Sequence, residues 1–253
     1  MTKTKSDLSR SIKRTLEVLE YFDSEHPAVS VSEISRALGY PQSSTSILLK
    51  SLRELGYLHY DKASRSYRPT ARVAMLGRGV RENLFGDGSV MAALEEISEQ
   101  TGETVILAVS EGIVVRYICV ILATNPMRMH LRTGAVRPII GSAVGHLFLS
   151  ALPDDELAEE IKRLHLVQAE TLIDDDELMR QIRRIRSRGH SLSTHTVTAG
   201  GGIVAILLPG EFNGTRLAIG IGGVAQTITG EENRFVEVMQ AAVKRHVRST
   251  DAD

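Results

Sequence analysis

The chain has 253 residues, enough for one large domain or two modest ones, with 42% hydrophobic and 24% charged residues, an ordinary balance for a chain that buries a core. Its net charge of −1 gives no whole-chain case for a polyanion partner, and its single cysteine, Cys119, excludes an intrachain disulfide and makes a reducing compartment the default. MTKTKSDLSR lacks the apolar core of a signal peptide and no apolar run approaches the ~18 residues of a membrane span, so a cytoplasmic protein with no membrane partner is expected.

The charge is uneven. Residues 1–85 hold 14 Lys and Arg against 9 Asp and Glu, and the remainder holds 16 against 22. A basic N-terminal third joined to an acidic remainder suggests two domains with different partners.

In chain order, SRSIKRTLEVLEYF places Ile12, Leu16, Leu19 and Phe22 near helical spacing, with Val18 alongside. Ser30 and Glu33 form an S-x-x-E capping box that opens a short helix with Ile34, Ala37 and Leu38 inward, and Gly39 stops it. Pro41 can begin the next helix, which runs to about Leu55 with Gly56 after it. Two helices joined by a short glycine-containing turn make a helix-turn-helix. GYLHYDKASRSYRPT then reads as a hairpin, which turns the motif into a winged helix-turn-helix with Lys62, Arg65 and Arg68 on the wing, placed for phosphates.

The second helix, PQSSTSILLKSL, divides by face. Leu48, Leu49, Leu52 and Leu55 recur at core spacing, whereas Gln42, Ser43, Ser44, Thr45, Ser46 and Lys50 are expected on the DNA side. Short hydroxyl and amide side chains suit phosphate and base-edge hydrogen bonds, although Ser43 and Ser44 also fit simple end-capping. N-terminal Lys3, Lys5 and Arg10 are further candidates for phosphate contacts.

The stretch VSEISRALGYPQSSTSILLKSLRELGYLHYDKASRSYRPT resembles the DNA-binding domain of IclR-family transcriptional regulators, and ARVAMLGRG resembles that family's linker helix. The resemblance implies double-stranded operator DNA as a partner and assembly as a dimer or a dimer of dimers. Relatives often carry a basic residue just after the proline and another midway along the recognition helix; here those positions are Gln42 and Ile47. Arginine readout of guanine is absent there, and Ile47, if exposed, could touch a thymine methyl.

Ala71–Phe85 reads as a linker helix followed by the punctuation GDGS. Residues 89–101 repeat helical spacing, and ETVILAVSEGIVVRYICVIL reads as two strands around SEG. PMRMHLRTG reads as a third strand. GSAVGHLFLSAL, PDDELAEEIKRL and DDDELMRQIRRIRSRG read as helices, the last with acids first and arginines last, as the helix dipole favours. HSLSTHTVT, GGIVAILLP and TRLAIGIGG read as strands, and Thr229 with Glu232 is expected to cap a final helix. The expected class is α+β: a winged helix-turn-helix over residues 1–70, a linker helix over 71–86, and over 87–253 an antiparallel sheet flanked by helices.

This second region also resembles the GAF/PAS-like effector domain of the same family, through Glu96–Val105, Gly134–Pro138, Gly145–Pro153 and Arg184–Ser191. By order along those motifs, effector-binding positions fall on Met129, Arg137, Ala143, Val144, Ser193, Gly201, Ile203 and Gly220. Relatives carry an acidic run where this chain has Ser193-Thr194-His195-Thr196, so more apolar room is expected, with an anionic ligand group held by Arg137 and the hydroxyls of Ser142 or Ser193. A small carboxylated or aromatic effector would fit.

Enzyme chemistry finds little support. Cys119 lies mid-strand in an apolar run, GSAVG is not a nucleophile elbow, and Gly220-x-Gly222-x-x-Ala225 lacks a βαβ context. His190 and His195 would face opposite sides of a strand, and neither has a Cys-x-x-Cys or carboxylate cluster, so no metal and no cofactor are expected. The rival reading is a small-molecule-binding enzyme or metal sensor with an accessory N-terminal domain.

Overall fold

The computed structural model describes residues 2–23, 26–77, 89–124, 131–167, 174–195, 199–212 and 214–247. Contacts divide the chain into two compact units, Met1–Arg81 and Glu82–Asp253.

In the first unit, helix α1 (Thr2–Glu20) leads to α2 (Val31–Leu38) and α3 (Gln42–Glu54), followed by a hairpin of β1 (Leu58–Asp61) and β2 (Ser66–Pro69) and a short α4 (Ala71–Leu76). The capping box at α2 forms as read: Ser30 Oγ accepts from Glu33 N, and Glu33 Oε2 accepts from Ser30 N at 2.6 Å. These bonds hold the Glu33 carboxyl below its usual range. Gly39 closes α2 in the left-handed region at φ 67°, as a helix-ending glycine should.

The core of this unit gathers Val18, Val29, Ile34, Leu49, Leu52, Leu58 and Tyr67. Two expectations fail here. Val18 is the fully buried residue of α1, whereas Ile12 and Leu16 are more than half exposed; Leu55 is also exposed, because it sits at the C-cap of α3 rather than within the helix. The apolar repeat located the helix but not the face that the neighbouring helices cover.

The second unit is a six-stranded antiparallel sheet in the order β5-β4-β3-β8-β7-β6. Its strands are β3 (Thr104–Glu111), β4 (Val114–Ile121), β5 (Val136–Pro138), β6 (Ser191–Thr194), β7 (Gly201–Leu207) and β8 (Leu217–Val224). Strict alternation sends its side chains to two cores. Val105, Leu107 and Val109 of β3 join Leu217, Ile219 and Ile221 of β8 against α5 (Ser89–Thr101) and the C-terminal helix α10 (Glu232–His246). Ile106 and Ala108 point the other way, with Ala205 and Ala218, against α6 (Ala143–Ser150), α7 (Asp154–Val167) and α8 (Asp175–Arg188). Each fully buried Leu, Ile or Phe contributes roughly 1.5–3 kcal/mol, so the two apolar faces supply most of the drive to form this sheet. A bulge lets Leu107 oppose Cys119 while Ala108 opposes Tyr117, and Ile118 is the extra residue. Burial pushes the Cys119 thiol above its ordinary range, which keeps it in its unreactive protonated form.

Three further expectations change. The third strand is Val136–Pro138; within PMRMHLRTG, residues 131–134 form no strand, and 125–130, with Met129, lie outside the described residues. Of the expected linker helix, Ala71–Leu76 is helical and 78–88 lie outside the described residues. Thr229 does not cap the last helix: its hydroxyl donates to Ala225 O inside a separate short helix, α9 (Ala225–Gly230), and α10 starts without a side-chain cap.

In the turn before α6 two backbone segments approach closely. Ser142 Oγ accepts from Gly145 N at 3.1 Å and donates to Pro138 O at 2.8 Å. A Cβ on Gly145 would lie 2.0 Å from the Ile139 carbonyl oxygen, with only backbone to give way. Gly145→Ala is therefore expected to destabilise the second unit by at least about 2 kcal/mol, read as a fall in the urea midpoint of that unit; an unchanged midpoint would refute the close approach.

Candidate DNA-reading surface and effector cleft

In α3 the exposed positions are Gln42, Ser43, Ile47 and Lys50, with Ser46 half-buried beside them. Ile47 is 67% exposed, so its side chain stands clear of the core. Thr45 corrects the sequence reading. It is 2% exposed and donates its hydroxyl back to Pro41 O at 3.1 Å, so it belongs to the core rather than to the outer face. Ser44 likewise bonds Pro41 O at 2.9 Å and faces a groove shared with Arg10 and Arg14 of α1.

The wing is fixed to this helix by polar contacts. Val29 and Tyr67 exchange backbone hydrogen bonds of 2.9 and 2.8 Å, which tie β2 to the segment before α2. Thr70 Oγ1 donates to Gly56 O at 2.7 Å, and Arg72 Nη1 donates to Leu55 O at 2.9 Å while its guanidinium lies over Tyr57. Lys62, Arg65 and Arg68 stand exposed on the hairpin, with Arg65 at its tip in the left-handed region at φ 53°. On the other side of α3, Tyr40 hydrogen-bonds Glu17 and carries Arg14 over its ring at 4.7 Å, and Ser35 Oγ donates to Tyr40 O at 2.6 Å. Cations therefore lie both on the hairpin and on the α1 side of α3.

The residues expected to hold an effector are not all brought together. Arg137 lies on β5 opposite Val115, half-buried, with its guanidinium 5.6 Å from the Tyr117 ring centroid and bonded to Val136 O. Ser193 lies on β6 opposite Ile203. These strands are the two edges of the sheet, five inter-strand steps apart, which at about 4.8 Å a step is roughly 24 Å along a flat sheet. One small carboxylate is too short to engage both across such a sheet. Ser142 spends its hydroxyl on the turn before α6. Ala143 and Val144 are buried, as are Gly201 and Gly220. Gly220 is closely packed: a Cβ there would be 3.1 Å from Ile106 and 3.3 Å from Ala205.

A cleft of about 250 Å³ does open beside β6, between α6 and α8. Ala143, His146, Gln181, Arg184, Ser191 and Ser193 line it. Sequence reasoning picked Ala143 and Ser193 but missed the others, which come from separate elements. His146 is the informative one. Its Nε2 accepts from Gly141 N at 3.0 Å, and burial pushes its pKa down to about 4, against a smaller opposing effect of the hydrogen bond that the ring donates to Gln181. The ring is therefore neutral at physiological pH. His190 at the rim pairs with Glu232 at 2.7 Å. Among the described residues no cluster of His, Cys, Asp and Glu could hold a metal ion, and no helix is long and apolar enough to cross a membrane.

Two family models match the chain: the IclR helix-turn-helix domain over residues 11–62 and the bacterial transcriptional regulator IclR C-terminal domain over 88–247. The chain is 25% identical over 242 residues to the transcriptional repressor IclR of Escherichia coli K12, spanning 93% of this chain and 86% of that protein. It is 26% identical over 237 residues to the HTH-type transcriptional regulator KipR of Bacillus subtilis, spanning 90% and 89%. Among solved structures, an IclR homolog of Microbacterium hydrocarbonoxydans complexed with 4-hydroxybenzoate aligns with a TM-score of 0.72 at 20% identity, over 92% of this chain and 96% of that one. An IclR regulator of Alicyclobacillus acidocaldarius aligns with a TM-score of 0.72 at 21% identity, over 93% and 96%. These likenesses to solved structures carry the fold.

The neutral His146 makes stability depend on pH. Its folded pKa lies below the unfolded value of 6.5, so its contribution is complete above that value and is lost as pH falls from 6.5 toward about 4. Over that window the second unit is expected to lose about 3 kcal/mol through this ring. His146→Gln should flatten the profile of urea midpoint against pH in that range, and an equally steep profile in the variant would disprove the assignment.

Proposed function

This chain belongs to the IclR family of DNA-binding transcriptional regulators, and from that footing we propose that it controls a catabolic operon in response to a small organic effector. The relatives are regulators rather than enzymes, so the enzyme reading falls away. The observation that carries the proposal is the outer face of α3, where Gln42, Ser43, Ile47 and Lys50 stand clear of the core beside the wing cations.

This face would enter the major groove of operator DNA. Gln42 can bond adenine N6 and N7 as a bidentate pair, Ser43 and Ser46 can reach base edges or phosphates, and Ile47 can cover a thymine methyl. Lys50, Lys62, Arg65 and Arg68 would neutralise phosphates, with Arg10 and the N-terminal lysines as further candidates. Thr45 would act only by holding the helix start. A dimer, or a dimer of dimers, would place two such helices one DNA turn or a multiple apart on a near-palindrome. A regulator works where its DNA is, which is the bacterial cytoplasm.

The second unit would bind the effector on the face of the sheet covered by α6, α7 and α8. A small carboxylated or aromatic compound is the favoured class, supported by the 4-hydroxybenzoate complex of the Microbacterium relative. Effector binding would alter DNA affinity to the extent that it favours one arrangement of the protein over another.

A gel-shift series with the protein's own upstream DNA, run across salt concentration, tests this. Specific binding should weaken steeply with salt. Lys62→Ala, Arg65→Ala and Arg68→Ala should each lower the log–log slope by about 0.9 and weaken all sequences alike. Ile47→Ala should instead change preference at a single A·T position by about 1–3 kcal/mol. No salt-sensitive specific binding would sink the regulator reading.

A further inference from the structure

We propose that the cleft between α6, α8 and β6 is a small-anion site in which Arg184 takes the anionic group and Ser191 donates a hydrogen bond to it. The inference rests on the effector-responsive reading above and assigns that response to residues which the sequence motifs do not mark.

Ser191 is the first observation. It sits on β6 opposite Ala205, is 1% exposed, and its Oγ has no hydrogen-bond partner. Buried hydroxyls are almost always satisfied, because stripping one of water without replacing the bond is costly. Ser191 is one of the residues that line the cleft, so this unused donor lies directly beside whatever fills it.

Arg184 is the second. Three other arginines of α8 are engaged: Arg180 with Glu177, Arg186 with Asp154 and two backbone carbonyls, Arg188 with Glu232. Arg184 makes no ion pair with any described residue and lines the cleft. Glu177 lies within its field, but that carboxylate is already hydrogen-bonded to Gln181 and Arg180. A planar guanidinium with free donors is well matched to a carboxylate.

The rest of the cleft fits an anion that is small. His146 is neutral there and has one nitrogen committed to Gly141 N–H, so it neither competes for nor repels the ligand. The volume of about 250 Å³ lies below the roughly 300–1,000 Å³ of drug-sized sites, which favours a compact monocarboxylate or short dicarboxylate. Arg137, on the opposite edge strand and already over Tyr117, takes no part.

The test uses full-length protein titrated with sodium benzoate, propionate and succinate, with sodium sulfate as an inorganic anion, by calorimetry and thermal shift. At least one carboxylate should bind wild type and raise its melting temperature. Arg184→Met and Ser191→Ala should each weaken that binding about tenfold or more, Arg184→Lys should recover part of it, and Arg137→Met should leave it unchanged. Without ligand, Ser191→Ala should melt at or above the wild-type temperature, since it removes an unsatisfied hydroxyl. Binding by none of the carboxylates, binding of sulfate alone, equal binding by Arg184→Met, or a lower melting temperature for unliganded Ser191→Ala (a hydroxyl satisfied by water alone) would each overturn the proposal. Loss confined to Arg137→Met would move the ligand to the other edge. Gel shifts of wild type without carboxylate report separately on DNA binding, so a failure there and a failure of the cleft cannot be confused.

Discussion

The Ile139 carbonyl occupies the space that a side chain at position 145 would need, and the face of the sheet beneath α6 is organised around that contact. Because Gly145 lets two backbone segments meet, the turn from β5 can fold directly into α6. Ser142 then bonds forward to Gly145 N and back to Pro138 O, and His146 accepts the Gly141 amide. Three backbone groups of this turn, Gly145 N, Pro138 O and Gly141 N, are thereby satisfied by two side chains. With the turn locked, Val144, Leu147 and Phe148 are delivered onto the sheet beside Ile106, Ala205 and Ala218. The same packing buries Ser142 and Val144, while the margin beside β6 stays open.

A comparable economy governs the DNA-binding unit. Its hairpin is short, and two strands alone are marginal in water. Stability comes instead from the Val29–Tyr67 backbone pair and from Thr70 and Arg72, which return to the carbonyls of Gly56 and Leu55 at the end of α3. Those last carbonyls of a helix lack intrahelical partners, so the bonds satisfy α3 and position the wing together. The cations of the wing thereby keep a fixed offset from the outer face of α3. A surface with no arginine at Gln42 or Ile47 depends more on that offset, because short side chains tolerate little error in their distance to a base edge.

Local chemistry was legible in the sequence; assembly was not. The Ser30–Glu33 box and the glycines at 39 and 189 were readable because a cap involves residues only a few positions apart. The same pattern at Thr229–Glu232 misled, since an intervening short helix claims the threonine hydroxyl. Periodicity found α1, and Val18, Leu19 and Phe22 do meet the core, but Ile12 and Leu16 do not; it also put Thr45 on the outer face, where a return bond to Pro41 holds it inside. Antiparallel strands could be expected, but the order β5-β4-β3-β8-β7-β6 could not, and that order is what parts Arg137 from Ser193. His146, Arg184 and Ser191 lie on three elements that only the packed second unit brings to one cleft.

The separation of those edges bears on how a small effector could act. A ligand shifts an equilibrium only by its difference in affinity between two arrangements. A ligand in the middle of the sheet would have to displace Ile106 or Ala205 from a packed row around Gly220, against a core that resists continuous deformation. A ligand at the β6 margin meets a less committed boundary: an edge strand, an exposed arginine and the end of α8, where Gly189 in the left-handed conformation closes the helix. The adjoining Arg188 and His190 both reach Glu232 at the start of α10, which ties this margin to a helix packed on the opposite face of the sheet.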